Sequence, residues 1–530
     1  MIIRFKDNVF KAISRYEEKD ELKSAGFLWN PVEKIWWTKF PENALKLSKY
    51  MDSSAIVEAR RIISERNTKI EESKKIDSDF IVPVPQGKEL YPFQRAGVEF
   101  LYKRGNVLLA DEMGLGKTVQ AIGYINVSKP NHVLIICPAV IKNVWHDMLK
   151  EWLVEIYEIA VVNGNTELIQ KDKQIIVINY DIVKKYFPAL STFGYDLAIL
   201  DESHYIKNRK AQRTKYTISL IQNAKKRILL SGTPVMNRPD ELFMQLVALG
   251  HQLGNSFWSF ANKFLITENN GYGMQIVGYN NLEILQNILR ESVMLRRTKD
   301  EVLAELPAKT RQVIVLKKSD VIKDSKFYKE TEETLNNYKA IDEELAIAEK
   351  DNFESRIREL KRMKSDMEIG EIAIQRRVLA EEKVPSIVLF IEDILEQEPK
   401  VVVFGHHVEA MKRIAENFGE SAFLLTGETL LEERSRLIKE FQENDGKKVF
   451  VASMQAGGVG ITLTAARIAV FIEMDWNPAI ISQAEDRIHR IGQKDNVIIY
   501  YVIVDETIDK YMADKVLEKQ KMMNEVLSYK

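Results

Sequence analysis

The sequence is short of the residues that build disulfides, thiolate metal sites and membrane spans. Cys137 is the single cysteine among 530 residues, which excludes internal disulfides and multi-cysteine zinc sites. No two of the seven histidines stand four positions apart, the spacing of a helical metal site. No apolar stretch approaches the length of a membrane span, and the first residues lack the pattern of a signal peptide. These absences predict a protein of a reducing compartment with no membrane partner.

Neither sign of charge is in excess, since 76 basic residues face 77 acidic ones. Any binding to nucleic acid must therefore come from local patches of charge and not from a generally basic surface. With 45% hydrophobic and 29% charged residues, the chain has the composition of a globular protein, and its length predicts at least three folding units.

Short apolar runs that alternate with helical stretches predict an α/β fold of two lobes, each a parallel sheet with helices on both faces. The runs of the first group begin at positions 106, 132, 174, 196 and 227, and those of the second at 401, 422, 448, 468 and 497. Between the groups, residues 319–383 are densely charged with helical spacing, which predicts a solvent-facing helical insertion.

The predicted domain order places a small module ahead of the two lobes. A break at PVPQG, residues 83–87, separates the charged helix before it from the first lobe. The expected domains are a small α+β N-terminal module over residues 1–50, a charged helix and linker over 51–87, the first lobe over 88–300, a connector with the helical insertion over 301–398, the second lobe over 399–515 and a C-terminal helix over 516–530.

The stretch DEMGLGKT, residues 111–118, departs from the phosphate-loop rule at its first position, where Asp111 replaces glycine. It follows a predicted strand and precedes a predicted helix, as a phosphate cradle requires. The loop backbone would turn N–H groups inward, a lysine would reach the β- and γ-phosphates, and a hydroxyl would hold Mg²⁺. By itself the match also fits a glycine-containing turn with a surface lysine. The candidates are Gly114, Gly116, Lys117 and Thr118.

A second acidic piece, DESH at residues 201–204, ends a later apolar strand. Asp201 would hold Mg²⁺, directly or through water, and Glu202 would polarise the attacking water. Two solvated carboxylates at a strand end would look the same in isolation. DEMGLGKT and DESH each follow a predicted strand and occur in the order of a nucleotide site. This makes the reading of DESH as solvated carboxylates the weaker one.

These pieces, with further ones, resemble the helicase motifs of superfamily 2, specifically those of its Swi/Snf-type ATPases. In that family the loop commonly reads D-E-M-G-L-G-K-T, so the absent first glycine is a family trait and the resemblance implies an intact ATP site with RecA-like lobes. Ser203 departs from the commoner D-E-A-H, which should leave both acids in place. The resemblance covers roughly residues 90 to 520, and its further pieces are YPFQRAGVEF at 91–100, SGTP at 231–234, MLRRTKDEVLAELPAK at 294–309, VASMQAGGVGITLTAA at 451–466 and QAEDRIHRIGQ at 483–493.

The resemblance implies ATP and Mg²⁺ as cofactors and assigns further residues to their site. Gln94 would read the adenine edge. Gln483, Arg487 and Arg490 are spaced four and three apart, so on a helix they share one face and can point across a cleft. Arginines that meet the γ-phosphate when the lobes close stabilise transition-state charge, an effect of about a thousandfold or more in rate. A salt-bridged surface helix would have the same spacing without the flanking IGQ.

Two lobes that open and close around ATP can grip a polymer alternately, and phosphates are present at every step of a nucleic acid. Hydroxyls at strand ends suit such contacts, and Thr233, Thr462 and Thr464 are candidates, although plain turns would carry the same residues. The resemblance implies double-stranded or branched DNA as partner and a monomeric translocase that remodels or re-anneals DNA or displaces bound proteins.

Two other functions fit the same motifs, namely a strand-separating superfamily 2 helicase and the DNA-tracking ATPase arm of a larger restriction or repair complex. Within the family, the annealing-helicase branch is the most similar in layout, because its members carry small modules ahead of the motor. The expected location is cytoplasmic and nucleoid-associated for a bacterial or viral source, with a nuclear location left open.

The N-terminal module contains a strand-like piece, KIWWTK at residues 34–39, with two adjacent tryptophans. Successive side chains of a strand face opposite sides, so Trp36 and Trp37 cannot both be buried in one small core. The more exposed ring could stack on an unpaired base of a DNA fork, and both are candidate DNA contacts. Packing of that ring on the protein itself would serve the fold alone.

Overall fold

The computed structural model describes residues 1–235, 238–269, 274–303, 305–350, 353–457 and 461–516. The predicted C-terminal helix lies outside these residues, apart from its first position. No helix within them has the length and apolarity to cross a membrane. The chain divides into two compact units, one of Met1–Lys75 with Asn287–Met294 and one of Ile76–Gln286 with Leu295–Lys530.

The first unit is built on a four-stranded antiparallel sheet. Its elements are β1 (Ile2–Lys6), β2 (Val9–Ile13), α1 (Lys19–Ser24), β3 (Leu28–Asn30), β4 (Ile35–Thr38), α2 (Pro41–Leu45) and α3 (Ser53–Glu72). The strands lie in the order β1-β2-β4-β3. Ala55 and Ala59 of α3 share the buried core of Ile3 and Phe10. The charged helix assigned to a linker thus belongs to this unit, because its one apolar stripe is buried there.

The first lobe carries a seven-stranded sheet, and five of its strands are the predicted apolar runs. Its strands are β5 (Asn106–Leu109), β6 (His132–Cys137), β7 (Glu158–Val161), β8 (Gln174–Asn179), β9 (Leu197–Asp201), β10 (Lys226–Leu230) and β13 (Met294–Leu295), with a separate hairpin of β11 (Leu265–Asn269) and β12 (Met274–Tyr279). The order is β13-β5-β10-β9-β6-β8-β7, and the pairings from β5 to β7 are parallel.

Helices connect these strands, as a parallel sheet requires. They are α4 (Pro92–Arg104), α5 (Lys117–Ser128), α6 (Lys142–Trp152), α7 (Val183–Leu190), α8 (Gln212–Ile221), α9 (Leu242–Leu249), α10 (Phe257–Phe264), α11 (Leu282–Ser292) and α12 (Lys299–Val302). Every residue of β8 and β9 is buried, which explains their unbroken apolar sequence. The carboxyl ends of β5 and β9 lie on either side of β10, so this edge of the sheet assembles the nucleotide loop and the acidic pair.

The second lobe has a six-stranded parallel sheet in the order β14-β19-β18-β15-β17-β16. Here β14 is Lys309–Leu316, β15 is Val401–Gly405, β16 is Ala422–Leu425, β17 is Val449–Ser453, β18 is Ile468–Phe471 and β19 is Val497–Val504. The five predicted runs are confirmed as strands. Edge strand β14 was not predicted, because its exposed and half-exposed positions interrupt the apolar run.

The remaining helices surround this sheet and form the charged insertion. They are α13 (Lys318–Val321), α14 (Ser325–Lys350), α15 (Glu354–Ile369), α16 (Glu371–Glu382), α17 (Val384–Leu395), α18 (Val408–Phe418), α19 (Leu431–Glu443), α20 (Met454–Gly457) and α21 (Pro478–Glu485), followed by a helical segment over residues 508–516. The insertion is helical as predicted, and α14 and α15 share a small apolar cluster that includes Ile341, Ile357 and Leu360. The two RecA-like lobes of the expected α/β fold are therefore confirmed.

Candidate active site

The phosphate loop after β5 is anchored by the residue that breaks the phosphate-loop rule. Asp111 is fully buried and forms an ion pair with Arg297, also fully buried. Its Oδ1 accepts hydrogen bonds from the backbone N–H and Nε of Arg297 at 3.0 Å each, and its Oδ2 accepts one from Gln120 Nε2 at 3.0 Å. A buried carboxylate is stable only when it is paired and hydrogen-bonded in this way. Asp111 therefore stands in place of the missing glycine and fixes the loop to Arg297 and Gln120, so the loop is intact.

Both remaining glycines of the loop are required by its backbone. Gly114 and Gly116 have φ angles of +86° and +73°, a region that side chains rarely adopt. A Cβ on Gly116 would lie 2.4 Å from Gln94 Nε2, and one on Gly114 would lie 2.9 Å from Arg490 Cβ. The loop thus contacts α4 on one side and the second lobe on the other, with no space for larger residues.

Lys117 lies inside the loop and its ammonium group is bound by carbonyls. Its Nζ donates to the carbonyl oxygens of Asp111 at 2.8 Å and Glu112 at 3.2 Å. Burial lowers the pKa of Lys117, while the neighbouring carboxylates of Glu202, Asp111 and Asp201 oppose that shift. The cation is thus held next to the acidic pair at the end of β9. Thr118 follows at the start of α5 and is half-buried.

The acidic pair is oriented by its own backbone and by lobe 1 aromatics. Asp201 Oδ2 accepts from Trp145 Nε1 at 2.8 Å, and its Oδ1 accepts from the N–H of Glu202 at 2.9 Å. Tyr180 OH donates to the Asp201 carbonyl at 2.8 Å. Burial, and then the Glu202 charge, raise the pKa of Asp201 to about 7. Trp145 and Tyr180 were not predicted, since nothing in the sequence links them to residue 201.

Glu202 adopts a left-handed conformation with φ +50°, which is uncommon for a residue with a side chain. Its Oε2 is buried and has no hydrogen-bond donor among the described residues, although the imidazole of His204 lies 3.3 Å away. Burial lowers the pKa of His204 to about 4, so that ring is neutral. Burial also raises the pKa of Glu202, and Lys117 and then Arg487 oppose this shift. An oriented carboxylate with an unused oxygen is suited to bind and polarise a water.

The second lobe brings its two arginines to this site. Arg487 Nη1 and Arg490 Nη1 donate to the same carbonyl, that of Ile461, at 3.4 and 3.2 Å. Arg487 Nε also donates to the Gln483 carbonyl at 3.0 Å. Burial, and then the neighbouring Arg490, lower the pKa of Arg487 to about 10, so Arg487 stays cationic at neutral pH, and burial also lowers the pKa of Arg490. The two guanidinium groups thus lie side by side, and Arg487 interacts electrostatically with Glu202 of the first lobe.

The prediction that these arginines share a helical face is wrong. Helix α21 ends at Glu485, and Arg487 and Arg490 lie in the turns that follow it. The N–H of Arg487 bonds to the carbonyl of Ala484, three residues back, so the chain tightens beyond the helix. The arginines converge because they share the Ile461 carbonyl and not because of α-helical periodicity.

Comparison with known proteins identifies the architecture. Residues 93–373 match the SNF2-related domain, and residues 386–492 match the helicase conserved C-terminal domain. The first match alone covers more than half of the chain. The chain belongs to the SNF2-related family. Domains of this family are ATPase modules of the helicase type, in agreement with the motifs of the sequence.

Over the aligned residues, individual relatives are about one-third identical to this SNF2-related chain. The SWI/SNF-related matrix-associated actin-dependent regulator of chromatin subfamily A-like protein 1 of Xenopus tropicalis is 34% identical over 451 residues, which are 83% of this chain and 45% of the relative. The DNA annealing helicase and endonuclease ZRANB3 of Homo sapiens is 32% identical over 457 residues, which are 83% of this chain and 40% of the relative. The chain thus spans about half of the length of these relatives.

Among solved structures, the Sulfolobus solfataricus SWI2/SNF2 ATPase core in complex with dsDNA is similar to this chain. The alignment covers 86% of this chain and 100% of that one, at 24% sequence identity and a TM-score of 0.41.

The two predicted glutamines, Gln94 and Gln483, lie at the site and contact other residues of the protein. Gln94 Oε1 accepts from the N–H of Tyr91 at 3.1 Å, and its Nε2 donates to the Leu115 carbonyl at 3.3 Å. Gln94 is therefore bound to the phosphate loop itself, and its role in adenine recognition stays a prediction. Gln483 is buried in α21, beside the arginines.

The candidate DNA contacts are placed in different surroundings. Thr233 is buried in the wall of a cavity of about 570 Å³ between the lobes, together with Gly232 and Arg296, and is not on an open surface. Thr462 is half-buried, and Thr464 Oγ1 accepts from Gln442 Nε2 at 3.2 Å. The position of Thr233 gives no support to its predicted DNA contact, because its side chain is buried.

The tryptophans of the N-terminal unit alternate as the strand pattern predicts. Trp36 is buried in the core and Trp37, on the other face, is half-buried. The most exposed ring of the three is Trp29 at 49%, whose ring centroid lies 5.4 Å from that of Trp36. Trp36 is therefore a core residue, and its position gives no support to its predicted role as a DNA contact.

Proposed function

We propose that this chain is an ATP-dependent double-stranded DNA translocase of the Swi/Snf type. The observation that carries the proposal is that Arg487 of one lobe interacts electrostatically with Glu202 of the other, beside Lys117, while Arg490 shares the Ile461 carbonyl with Arg487. Such an arrangement completes the catalytic set only when both lobes are together, which couples hydrolysis to lobe movement. A polymer held by both lobes is then moved by each cycle.

Mg²⁺ fits the acidic end of β9 as the partner of the nucleotide. Asp201 is buried, Glu202 is half-buried, both carboxylates have raised pKa values, and the buried Oε2 of Glu202 has no hydrogen-bond donor in the part of the chain that the structure describes. A divalent cation offsets that charge and neutralises phosphate oxygens. Thr118 and Asp201 would hold it, Lys117 would contact the β- and γ-phosphates, and Glu202 would orient the attacking water.

The relatives support DNA as the polymer, since one is named a DNA annealing helicase. We infer that this chain acts on forked or branched duplexes and re-pairs strands, without separating them over long stretches. The N-terminal unit would select such forks. Its half-buried Trp37 and exposed Trp29 can stack on unpaired bases, an interaction of about 1–3 kcal/mol per base.

The deciding experiment measures ATP hydrolysis with single-stranded, double-stranded and forked DNA side by side. The proposal expects strong stimulation by duplex and stronger stimulation by forks, with little from single strands. The variant Lys117→Ala serves as the control for contaminating ATPase activity. Stimulation by single strands alone would contradict the proposal.

Strand annealing and strand displacement distinguish the proposal from a strand-separating helicase. A labelled strand should be re-paired into a complementary duplex in the presence of ATP, and a tailed duplex should stay intact. Displacement of the labelled strand would favour the helicase. The variant Trp29→Ala should lose the preference for forks and keep its duplex-stimulated hydrolysis, because the motor residues are untouched.

A further inference from the structure

A cluster of charges, called the clamp here, joins the inter-lobe segment, residues 296–311, to the chain that carries the arginines, and its two carboxylates are buried. It consists of three cations, Lys299, Lys309 and Arg311, and two carboxylates, Glu485 and Asp486. The side chains of Lys299 and Asp486 are each 3% exposed. The two carboxylates immediately precede Arg487, so the clamp acts on the turn that delivers the arginines.

The Asp486 half of the clamp is the more deeply buried one. Lys299 Nζ donates to Asp486 Oδ1 and to the His489 carbonyl, both at 2.6 Å. Lys309 Nζ lies 3.4 Å from the same carboxylate oxygen. Burial alone would raise the pKa of Asp486, but Lys299 and then Lys309 outweigh it and hold the pKa at about 2. The Asp486 carboxyl is therefore ionised at neutral pH.

The Glu485 half is fixed by a two-pronged contact. Arg311 donates from Nε at 2.7 Å and from Nη2 at 2.6 Å to the two oxygens of Glu485. Lys309 Nζ adds a third bond at 2.9 Å, and the Tyr501 hydroxyl donates to Oε1. Paired N–H groups of an arginine on one carboxylate set direction as well as distance. Two successive residues are thus held in place directly before Arg487.

Lys299 also contacts the phosphate loop. Its backbone N–H donates to Glu112 Oε2 at 2.8 Å, and a Cβ on Gly114 would lie 3.3 Å from Lys299 Cε. The same Cβ would lie 2.9 Å from Arg490 Cβ. Lys299 therefore meets the phosphate loop of one lobe through its backbone N–H and its Nζ, which lies 4.0 Å from Glu112 Oε1, and its Nζ also bonds to the arginine-bearing turn of the other lobe.

We propose that Lys299 and Asp486 are positioning residues for ATP hydrolysis, whose ion pair sets the place of Arg487 and Arg490 relative to the phosphate loop. This rests on the proposed ATPase function and adds to it the residues that align the two half-sites. Neither residue is needed to touch the nucleotide. A buried ion pair adds little net stability over apolar residues of the same volume, but it can specify one arrangement of the groups it joins.

The test removes both charges together, with Lys299→Met and Asp486→Leu in one protein. Apolar side chains of similar volume leave no unpaired charge, so the melting temperature should stay within a few degrees of the parent. The expected result is a loss of about 10²-fold in kcat, as for a catalytic group misplaced by about 1 Å, with the KM for ATP unchanged within about twofold. A folded double variant with parental kcat would overturn the proposal, and so would a change in KM alone.

A matched control is available in the second lobe. Lys383 and Asp509 form an equally buried pair at 2.7 Å, and neither residue is part of the nucleotide site. The variant Lys383→Met with Asp509→Leu should keep the parental kcat at a temperature where it is folded. An equal loss of kcat in both double variants would assign the clamp a structural role only.

A conservative variant covers the case in which the double variant does not fold. Asp486→Asn keeps the shape of the side chain and weakens the pair, and should lower kcat about tenfold. In an Arg490→Ala background the same change should cost less in kcat than it does in the parent, because the pair acts in part through Arg490. Additive losses would overturn the proposal. A parent protein without any DNA-stimulated hydrolysis would instead contradict the proposed function.

Discussion

The two halves of the nucleotide site are held in different ways. In the first lobe, Lys117, Asp201 and Glu202 lie at strand ends and in the loop directly after β5, so their position follows from the sheet itself. In the second lobe, Arg487 and Arg490 lie in turns after α21 and depend on the Ile461 carbonyl and on residues of the inter-lobe segment. The first half of the site is thus positioned for binding by its own sheet, and the second half is positioned by contacts that its turns make with other segments.

This difference predicts two classes of variant. Changes to the first-half residues that hold the nucleotide, such as Lys117, should affect nucleotide binding together with turnover, whereas Glu202 of the same half acts on the attacking water and should affect turnover alone. Changes in the second half should affect turnover with little change in binding, because its arginines meet the γ-phosphate when the lobes are closed. The predictions below test this division, from the largest expected effect on turnover to the smallest.

Lys117→Ala should reduce DNA-stimulated hydrolysis to background and weaken ATP binding. The variant removes the cation that reaches the β- and γ-phosphates, while the carbonyls of Asp111 and Glu112 remain. Hydrolysis is measured by phosphate release and ATP binding by a fluorescent analogue. DNA binding should persist, and substantial turnover in the pure variant would remove Lys117 from the site.

Arg490→Ala should lower kcat about 10³-fold while the Kd for ATP changes less than about threefold. Its side chain stabilises charge that develops in the transition state and contributes little to the ground state. Steady-state kinetics and equilibrium ATP binding give the two numbers. A loss of ATP affinity as large as the loss of kcat would make Arg490 an ordinary binding residue and would contradict the difference proposed between the two halves.

Glu202→Gln should retain Mg·ATP and lower turnover at least about 10²-fold. The amide keeps the shape of the side chain but cannot accept a proton from the attacking water. Binding of radiolabelled ATP and single-turnover hydrolysis separate the two steps. If the variant fails to bind nucleotide while Lys117 and Asp201 are present, Glu202 has a structural role.

Ser203→Ala, at the position where this chain departs from D-E-A-H, should change turnover less than about threefold. Ser203 Oγ donates to Gln245 Oε1 at 2.8 Å, and Gln245 Nε2 donates to the Pro234 carbonyl at 2.6 Å. Loss of the hydroxyl leaves the buried Gln245 oxygen without this donor, which costs about 1–3 kcal/mol of folding free energy. A lower melting temperature with unchanged kcat is expected, and a large loss of kcat would link Ser203 to coupling between hydrolysis and lobe movement.

The predicted site residues that the structure brings together within one lobe are those whose positions have short-range causes. The glycines of the phosphate loop, Lys117 and the acids after β9 follow buried strands, and a parallel sheet brings the carboxyl ends of its strands to one edge. The ten apolar runs are recognisable because strands buried on both faces need continuous apolar sequence. Edge strands β7 and β14 lack that constraint and were missed.

What could not be predicted depends on partners that are far apart in the chain. Asp111 and Arg297 are separated by 186 positions and Lys299 and Asp486 by 187, and no local pattern marks which cation meets which acid. The prediction that Arg487 and Arg490 share a helical face was wrong for the same reason. A spacing of three and four residues is compatible with a helix, and only the clamp and the Ile461 carbonyl end that helix at Glu485 and reorient the chain.

The sequence by itself determined the family, the two parallel-sheet lobes and the residue types of the ATP site, because these depend on local periodicity and on loops that directly follow strands. The tertiary structure alone decided how the two half-sites meet, that Trp36 is a core residue and that α3 belongs to the N-terminal unit. The physical reason is that burial and ion pairing are properties of the assembled chain, since a charge or a ring is stabilised by whichever residues surround it after folding.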